Sequence, residues 1–70
     1  MTERIVVLDR FPDEASAWIA RAVLQAGGIV SEVLVDRPYV WPLPVVRLAV
    51  RADDAAEARR LLEAQRDASA

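Results

Sequence analysis

The chain contains neither cysteine nor histidine. Their absence removes the thiol nucleophile, the commonest general base and most transition-metal ligand sets. It also excludes disulfides and structural zinc, the usual means of stabilising a domain as small as 70 residues. Because a chain of this size buries only about 60% of its unfolded surface, we expect self-association to contribute to its stability.

Long apolar runs and an excess of positive charge are also missing. No apolar stretch approaches the roughly 20 residues that span a bilayer. Nine basic residues are outnumbered by eleven acidic ones, which gives a formal net charge of -2, and the predicted strand interiors lack the aromatic residues of RNA-binding sheets. The opening MTERIVVLDRF does not have the pattern of a signal peptide. We therefore expect a cytoplasmic protein that binds neither a membrane nor nucleic acid.

Three segments have the composition of β-strands. Residues 3–10 contain a run of four apolar residues, most of them β-branched, that is too short for a core helix. Residues 29–36 alternate partially between apolar and polar side chains, and residues 45–51 alternate more cleanly. The third segment is therefore the best defined of the three predicted strands.

Two segments between and after these strands predict α-helices. The first begins at Pro12, an acceptable first helical residue, and ends at Gly27 and Gly28, which fit a helix C-cap. The second covers residues 53–66, where Asp54 and Glu57 have the spacing of a capping box. The first helix has one apolar stripe that predicts its core face, with Trp18 in the core: Ala15, Trp18, Ile19, Ala22, Val23 and Ala26.

The order βαββα matches the first five elements of the ferredoxin-like arrangement. It predicts an α+β two-layer sandwich, with a three-stranded antiparallel sheet in the order 1-3-2 and both helices on one face. The fourth strand of that arrangement is not predicted, so strand one is left as an open edge. We expect a single domain over residues 1–66 and a frayed tail over residues 67–70.

The sheet face away from the helices is the first candidate interaction surface. Alternation places Val33, Val35, Val46, Leu48 and Val50 toward the helices. The opposite face carries Arg47 and Arg51, expected to pair with Glu32, and the residues of a predicted oligomer interface: Val30, Glu32, Leu34, Val45 and Ala49. Self-association through this face or the strand-one edge, most simply as a dimer, is one interpretation. A half-wet monomer surface is the alternative.

The segment DRPYVWPLPVV, residues 36–46, joins the second and third predicted strands. Its three prolines keep the backbone extended and make a tight hairpin turn improbable. Its aromatic residues either pack over the core or an oligomer contact, or form a site for a small molecule or a protein partner. The predicted site for a ligand or partner consists of Arg37, Tyr39, Trp41, Leu43 and Arg47.

Other residues that suggest chemistry have simpler structural interpretations. Asp53 and Asp54 resemble a metal site, but a helix cap explains them. Gly27 and Gly28 lie between a helix and a strand, whereas phosphate-binding loops run from a strand into a helix. We therefore predict no catalytic residue, no metal and no cofactor, and a protein that is not an enzyme.

The segments RFPDEASAWIARAVLQAGGIVSEV and VRLAVRADDAAEARRLLE together carry a resemblance to a known family. Over about residues 3–64 the chain resembles a small bacterial domain described as a prokaryotic signal-transducing protein of unknown function, whose fold is similar to the PII-like proteins. The resemblance implies a ferredoxin-like domain that responds to a ligand or a partner. It brings no catalytic residues, and the proline-rich loop of this chain departs from the family pattern.

Overall fold

The computed structural model describes residues 4–36 and 45–69, which form one antiparallel sheet with two helices on one of its faces. The sheet has the order β1-β3-β2, as predicted, and the α+β ferredoxin-like arrangement is confirmed without a fourth strand among the described residues. A 3-10 turn over Ala52–Asp54 leads into the second helix. The elements are β1 (Ile5–Phe11), α1 (Glu14–Ala26), β2 (Ser31–Asp36), β3 (Val45–Arg51) and α2 (Ala55–Ser69).

Both ends of α1 are capped by the residues that precede and follow it. At the start, the Ser16 N–H donates to the Asp13 carboxylate at 2.7 Å. At the end, the N–H of Ile29 donates to the Leu24 carbonyl and the N–H of Gly28 to that of Gln25, which is a Schellman motif. Gly28 has a φ of 83°, a conformation that glycine adopts without strain. The predicted glycine C-cap is therefore confirmed.

A β-bulge in β1 decides which of its residues face the helices. Val7 lies opposite Ala49 and Asp9 lies opposite Leu48, so Leu8 is an extra residue in the ladder. Without the bulge, strict alternation from Val6 and Leu8 would turn Phe11 away from the helices. With it, Val6, Leu8 and Phe11 all pack against the core.

The core lies between β3 and the two helices. Val46, Leu48 and Val50 of β3 are almost fully buried, as their alternation predicts. On the helix side, small alanines let the backbones approach the sheet closely. The central cluster consists of Ala20, Leu24, Ile29, Leu48, Val50 and Ala58. Of the second-strand residues predicted to face the helices, Val33 packs against this cluster and Val35 is 38% exposed.

The predicted core stripe of α1 is wrong. The buried residues of α1 are Ala17, Ala20 and Leu24, whereas Trp18 is 52% and Ile19 62% exposed. The helix carries two apolar stripes, and spacing alone does not say which of them faces the sheet. The stripe of Ala17, Ala20 and Leu24 takes the inner position, and the predicted stripe lies on the outside except for Val23, which is half-buried.

The predicted capping box of α2 does not form. The Glu57 carboxylate accepts hydrogen bonds from the Arg60 guanidinium, one of them from Nε at 2.8 Å, instead of reaching back to Asp54. The 3-10 turn leads directly into the helix, and no capping hydrogen bond from the Asp54 side chain is present among the described residues. At its other end α2 continues past the predicted limit, so residues 67–69 are helical.

The N-cap of α1 makes the stability of the fold depend on pH. Hydrogen bonds from the backbone and side chain of Ser16 lower the pKa of Asp13 from its ordinary value of about 3.9. Because the folded-state pKa is the lower one, the contribution to stability is present above the ordinary value and is lost as the pH falls through the folded pKa. We expect urea unfolding to show a steeper loss of stability on acidification for the wild type than for Asp13→Asn.

Asparagine is the appropriate comparison because it caps a helix as well as aspartate does but does not titrate in this range. Acid titration of the remaining carboxylates affects both proteins alike. Parallel stability profiles for the two proteins from neutral pH to about pH 2 would contradict the assignment of Asp13 as a stabilising cap.

Candidate functional site

The face of the sheet opposite the helices is the candidate site, and we call it the open face. Strand alternation and the β1 bulge assign eleven residues to it. All five residues of the predicted oligomer interface are among them. The open face consists of Ile5, Val7, Arg10, Val30, Glu32, Leu34, Asp36, Val45, Arg47, Ala49 and Arg51.

Three aliphatic side chains of the open face are strongly exposed. Val30 is 78%, Ile5 61% and Val7 43% exposed. Ile5 and Val30 line opposite ends of a shallow groove of about 270 Å³ that crosses β3 at Ala49 and Arg51. Single exposed aliphatic residues are ordinary on a monomer, but grouped ones mark interaction surfaces.

The five predicted interface residues differ in how much of their surface is exposed. Val30 and Glu32 are exposed, Leu34 and Val45 are half-buried, and Ala49 is only 2% exposed. Ala49 lies on the central strand with Val7 and Glu32 directly beside it, so its small side chain forms the floor of the face. The prediction therefore located the correct face, but Ala49 itself offers little area for contact.

Ile5 and Val7 are the residues that the sequence prediction missed. Ile5 to Leu8 form a continuous apolar run, which does not reveal which members face outward. The signal that identifies them is the register with β3, because Ile5 lies opposite Arg51 and Val7 opposite Ala49. This pairing was not available from the sequence of β1 alone.

Charges of opposite sign lie on different strands of the open face. Arg10 of β1 lies directly opposite Arg47 of β3, which is an unfavourable like-charge pair. The acidic residues Glu32 and Asp36 both lie on β2. The face therefore has a basic half along β1 and β3 and an acidic half along β2.

The ion pairs predicted for Glu32 are wrong. Glu32 lies opposite Ala49, and its carboxylate forms no salt bridge with Arg47 or Arg51 within the described residues. The Nε atom of Arg47 is buried and has no hydrogen-bond partner in the same part of the chain. Glu32 and Arg47 are therefore not paired with each other on the open face.

The ligand site predicted around the proline-rich segment is placed only in part. Arg37, Tyr39, Trp41 and Leu43 lie outside the described residues. Arg47 is the one member that the structure places, and it lies on the open face between Leu34 and Arg10. The structure therefore joins this residue to the predicted oligomer interface.

The described residues do not form a metal-binding site. No group of three or more His, Cys, Asp or Glu side chains is close enough there to hold a metal ion. Asp53 and Asp54 lie in the 3-10 turn before α2. Over the same residues, no helix combines the length and the apolar character needed to cross a membrane.

Comparisons with models of known protein families, with curated proteins and with solved structures gave no match to this chain. The resemblance noted from the sequence therefore stays a prediction.

The opposed arginines Arg10 and Arg47 give a direct test of the open-face register. Replacing Arg10 by Glu converts a like-charge cross-strand pair into an opposite-charge pair, worth about 0.2–1 kcal/mol. We expect the melting temperature to increase in the order wild type, Arg10→Gln, Arg10→Glu. The measurement is thermal denaturation at low salt and low protein concentration, where the mass is that of a monomer.

Added salt should reduce the difference between these proteins, because the interaction is between partly exposed charges. Arg10→Gln is the matched control, since it removes the repulsion without introducing an attraction. A lower melting temperature for Arg10→Glu than for Arg10→Gln would contradict the placement of Arg10 beside Arg47.

Proposed function

We propose that the protein is a small non-enzymatic interaction module with a regulatory role, and that it self-associates by stacking the open faces of two copies. The observation that carries this proposal is the exposure of Ile5, Val7 and Val30 on the helix-free face of the sheet. A second sheet covering these side chains would form a sandwich with an apolar layer between the two sheets. The small size of the domain supports the same conclusion, because a chain this short gains stability from association.

The open face is a better contact than the edge of β1. The β1 bulge interrupts the regular ladder after Val7, so only Ile5–Val7 offers an undisturbed edge for pairing. Asp9 and Arg10 follow the bulge and add charge to the same edge. Bulges and charges on edge strands oppose the addition of another strand.

The distribution of charge favours one orientation of the two copies. A two-fold axis parallel to the strands and close to β3 would place the basic β1 side of one copy over the acidic β2 side of the other. Arg10 would then approach Glu32 and Asp36 of the second copy. Such an isologous contact is self-complementary and closes at two copies.

The extent of the open face sets the strength of association that we expect. Three strands about 4.8 Å apart and about 20 Å long have a footprint of a few hundred Å². A standard stable interface buries about 800 Å² on each partner. The contact is therefore at the small end of the range, which corresponds to a reversible dimer with a dissociation constant in the micromolar range or above.

A metabolite sensor is the second candidate function. The adjacent side chains of Arg10 and Arg47, with the buried Nε of Arg47 unpaired in the described residues, favour an anionic ligand on the open face. A panel of carboxylate and phosphate metabolites tested by thermal denaturation distinguishes this function. A compound that raises the melting temperature of the wild type but not of Arg47→Gln would favour the sensor.

Val30→Glu is the variant that tests self-association. Val30 is 78% exposed, so a charge at this position does not enter the core, but in the dimer it would be buried against an apolar surface without a partner. We expect at least a tenfold weaker dimer by sedimentation equilibrium, with the far-ultraviolet circular dichroism spectrum unchanged. Val30→Thr, of nearly the same shape, should retain most of the association.

Ala64→Glu provides the control for an added negative charge, since Ala64 is exposed on α2, on the other side of the molecule. It should leave the open-face contact intact. The proposal is contradicted if Val30→Glu and Ala64→Glu associate equally. A wild type that sediments only as the 7.7 kDa monomer would contradict it as well.

A further inference from the structure

The outward side of α1 is a second apolar surface, on the opposite side of the molecule from the open face. It is formed by the residues that the sequence placed in the core and the structure places outside. We call it the outer α1 face, and it consists of Ala15, Trp18, Ile19, Ala22 and Ala26. Trp18 and Ile19 supply its large side chains, and each is more than half exposed.

The neighbouring helix α2 shows the composition of a solvent-exposed helix surface in this protein. Its exposed side carries mostly charged residues, among them Glu57, Arg59, Arg60 and Glu63. Glu57 and Arg60 form an ion pair there. α1 lies in the same layer but has an outer face without a charged side chain. Exposed apolar side chains that are grouped on one surface mark interaction sites, so the outer surfaces of the two helices differ in what they can contact.

We infer that the outer α1 face packs against the same face of a second copy, with the two helices antiparallel. The sequence of the face supports a partner identical to itself. Trp18 is four residues before Ala22, and Ala26 is four residues after it. These three residues form one ridge along the helix, and Ala15 and Ile19 form the parallel ridge beside it.

A two-fold axis at Ala22 makes the outer α1 face complementary to itself. Antiparallel packing around this axis places Trp18 of each copy over Ala26 of the other and Ala22 against its own counterpart. Large side chains then meet small ones at both ends, and an alanine at the centre lets the helices approach to about 8 Å. Ridges of the same kind on both helices correspond to a crossing angle of about -50°.

Trp18 is the anchor of this contact. The guanidinium carbon of Arg21 lies 5.2 Å from the centre of the Trp18 ring, a cation–π distance. Arg21 lies on α1 beside the outer α1 face, so its guanidinium helps to hold the Trp18 ring in position. Tryptophan and the arginines around it are frequent energetic centres of protein interfaces.

The open face and the outer α1 face lie on opposite layers of the sandwich, so one molecule can use both at once. This inference is independent of the proposed function, although both have a second copy as the partner. Two different two-fold contacts on opposite layers join copies into an open stack, and blocking either contact reduces the stack to dimers. A contact of two short helices is also small, and we expect it at high protein concentration.

Sedimentation equilibrium of Ala22→Glu tests the inference. Ala22 is exposed and helical, and Glu has nearly the helix propensity of Ala, so the fold should not change. At the two-fold axis, however, two glutamates would face each other in an apolar contact. We expect at least a tenfold loss of association through α1, whereas Ala64→Glu, the same change on α2, should have no effect.

Comparison with Val30→Glu separates the two contacts. If both exist, the wild type exceeds the mass of two 7.7 kDa chains at high concentration, and each single variant stops at a dimer. If Ala22→Glu alone removes a wild-type dimer, the helix contact is supported and the proposed open-face contact fails. If Val30→Glu alone removes it, or if the wild type stays monomeric, the inference about α1 is overturned.

A cysteine at Ala22 tests the antiparallel geometry directly. The chain has no native cysteine, so Ala22→Cys carries one thiol, and two copies related by the proposed axis bring these thiols together. Disulfides form when the Cα atoms are about 4.4–6.8 Å apart. We expect Ala22→Cys to give a disulfide-linked dimer under mild oxidation much faster than Ala64→Cys, and equal rates would overturn the proposed packing.

Discussion

The fold depends on burying one side of β3. Val46, Leu48 and Val50 are almost completely removed from solvent, and β3 is the strand that pairs with both of the others. Each of the other elements is arranged to cover it. The β1 bulge turns Phe11 toward the core, and the inner alanines of α1 bring that helix close to the strand. In so small a domain, one strand therefore organises nearly all the apolar burial.

Sequence and structure agree best where only one orientation of a strand or helix satisfies its pattern of apolar residues. Residues 45–51 alternate more cleanly than the other strands, and the structure gives a strand with these bounds and this orientation. The pattern of α1 allows two arrangements, because both of its stripes are apolar. Choosing between them requires the fit of each stripe against the sheet, where Ala17, Ala20 and Leu24 are buried. This fit depends on tertiary packing, which the spacing of apolar residues does not specify.

The open face likewise combines residues that could be placed from the sequence with residues that could not. Val30, Glu32, Leu34, Val45 and Ala49 could be placed on it because β2 and β3 alternate. The β1 contribution to the face could not be predicted, since its apolar run is continuous and the bulge changes the orientation of every later residue. The like-charge contact between its two arginines follows from the bulge. Together with the outer α1 face, these features give the molecule apolar surface on both layers.

The bulge in β1 also affects which kind of assembly this protein can form. A molecule with apolar surface on two sides and an exposed strand edge is at risk of joining end to end into fibrils, since regular edges add further strands without limit. The extra residue at Leu8 breaks that regularity beside the charges of Asp9 and Arg10. Growth by strand addition is thereby opposed, while stacking of faces and helices remains possible. This irregularity in one short strand therefore restricts self-association to contacts between sheet faces and helices.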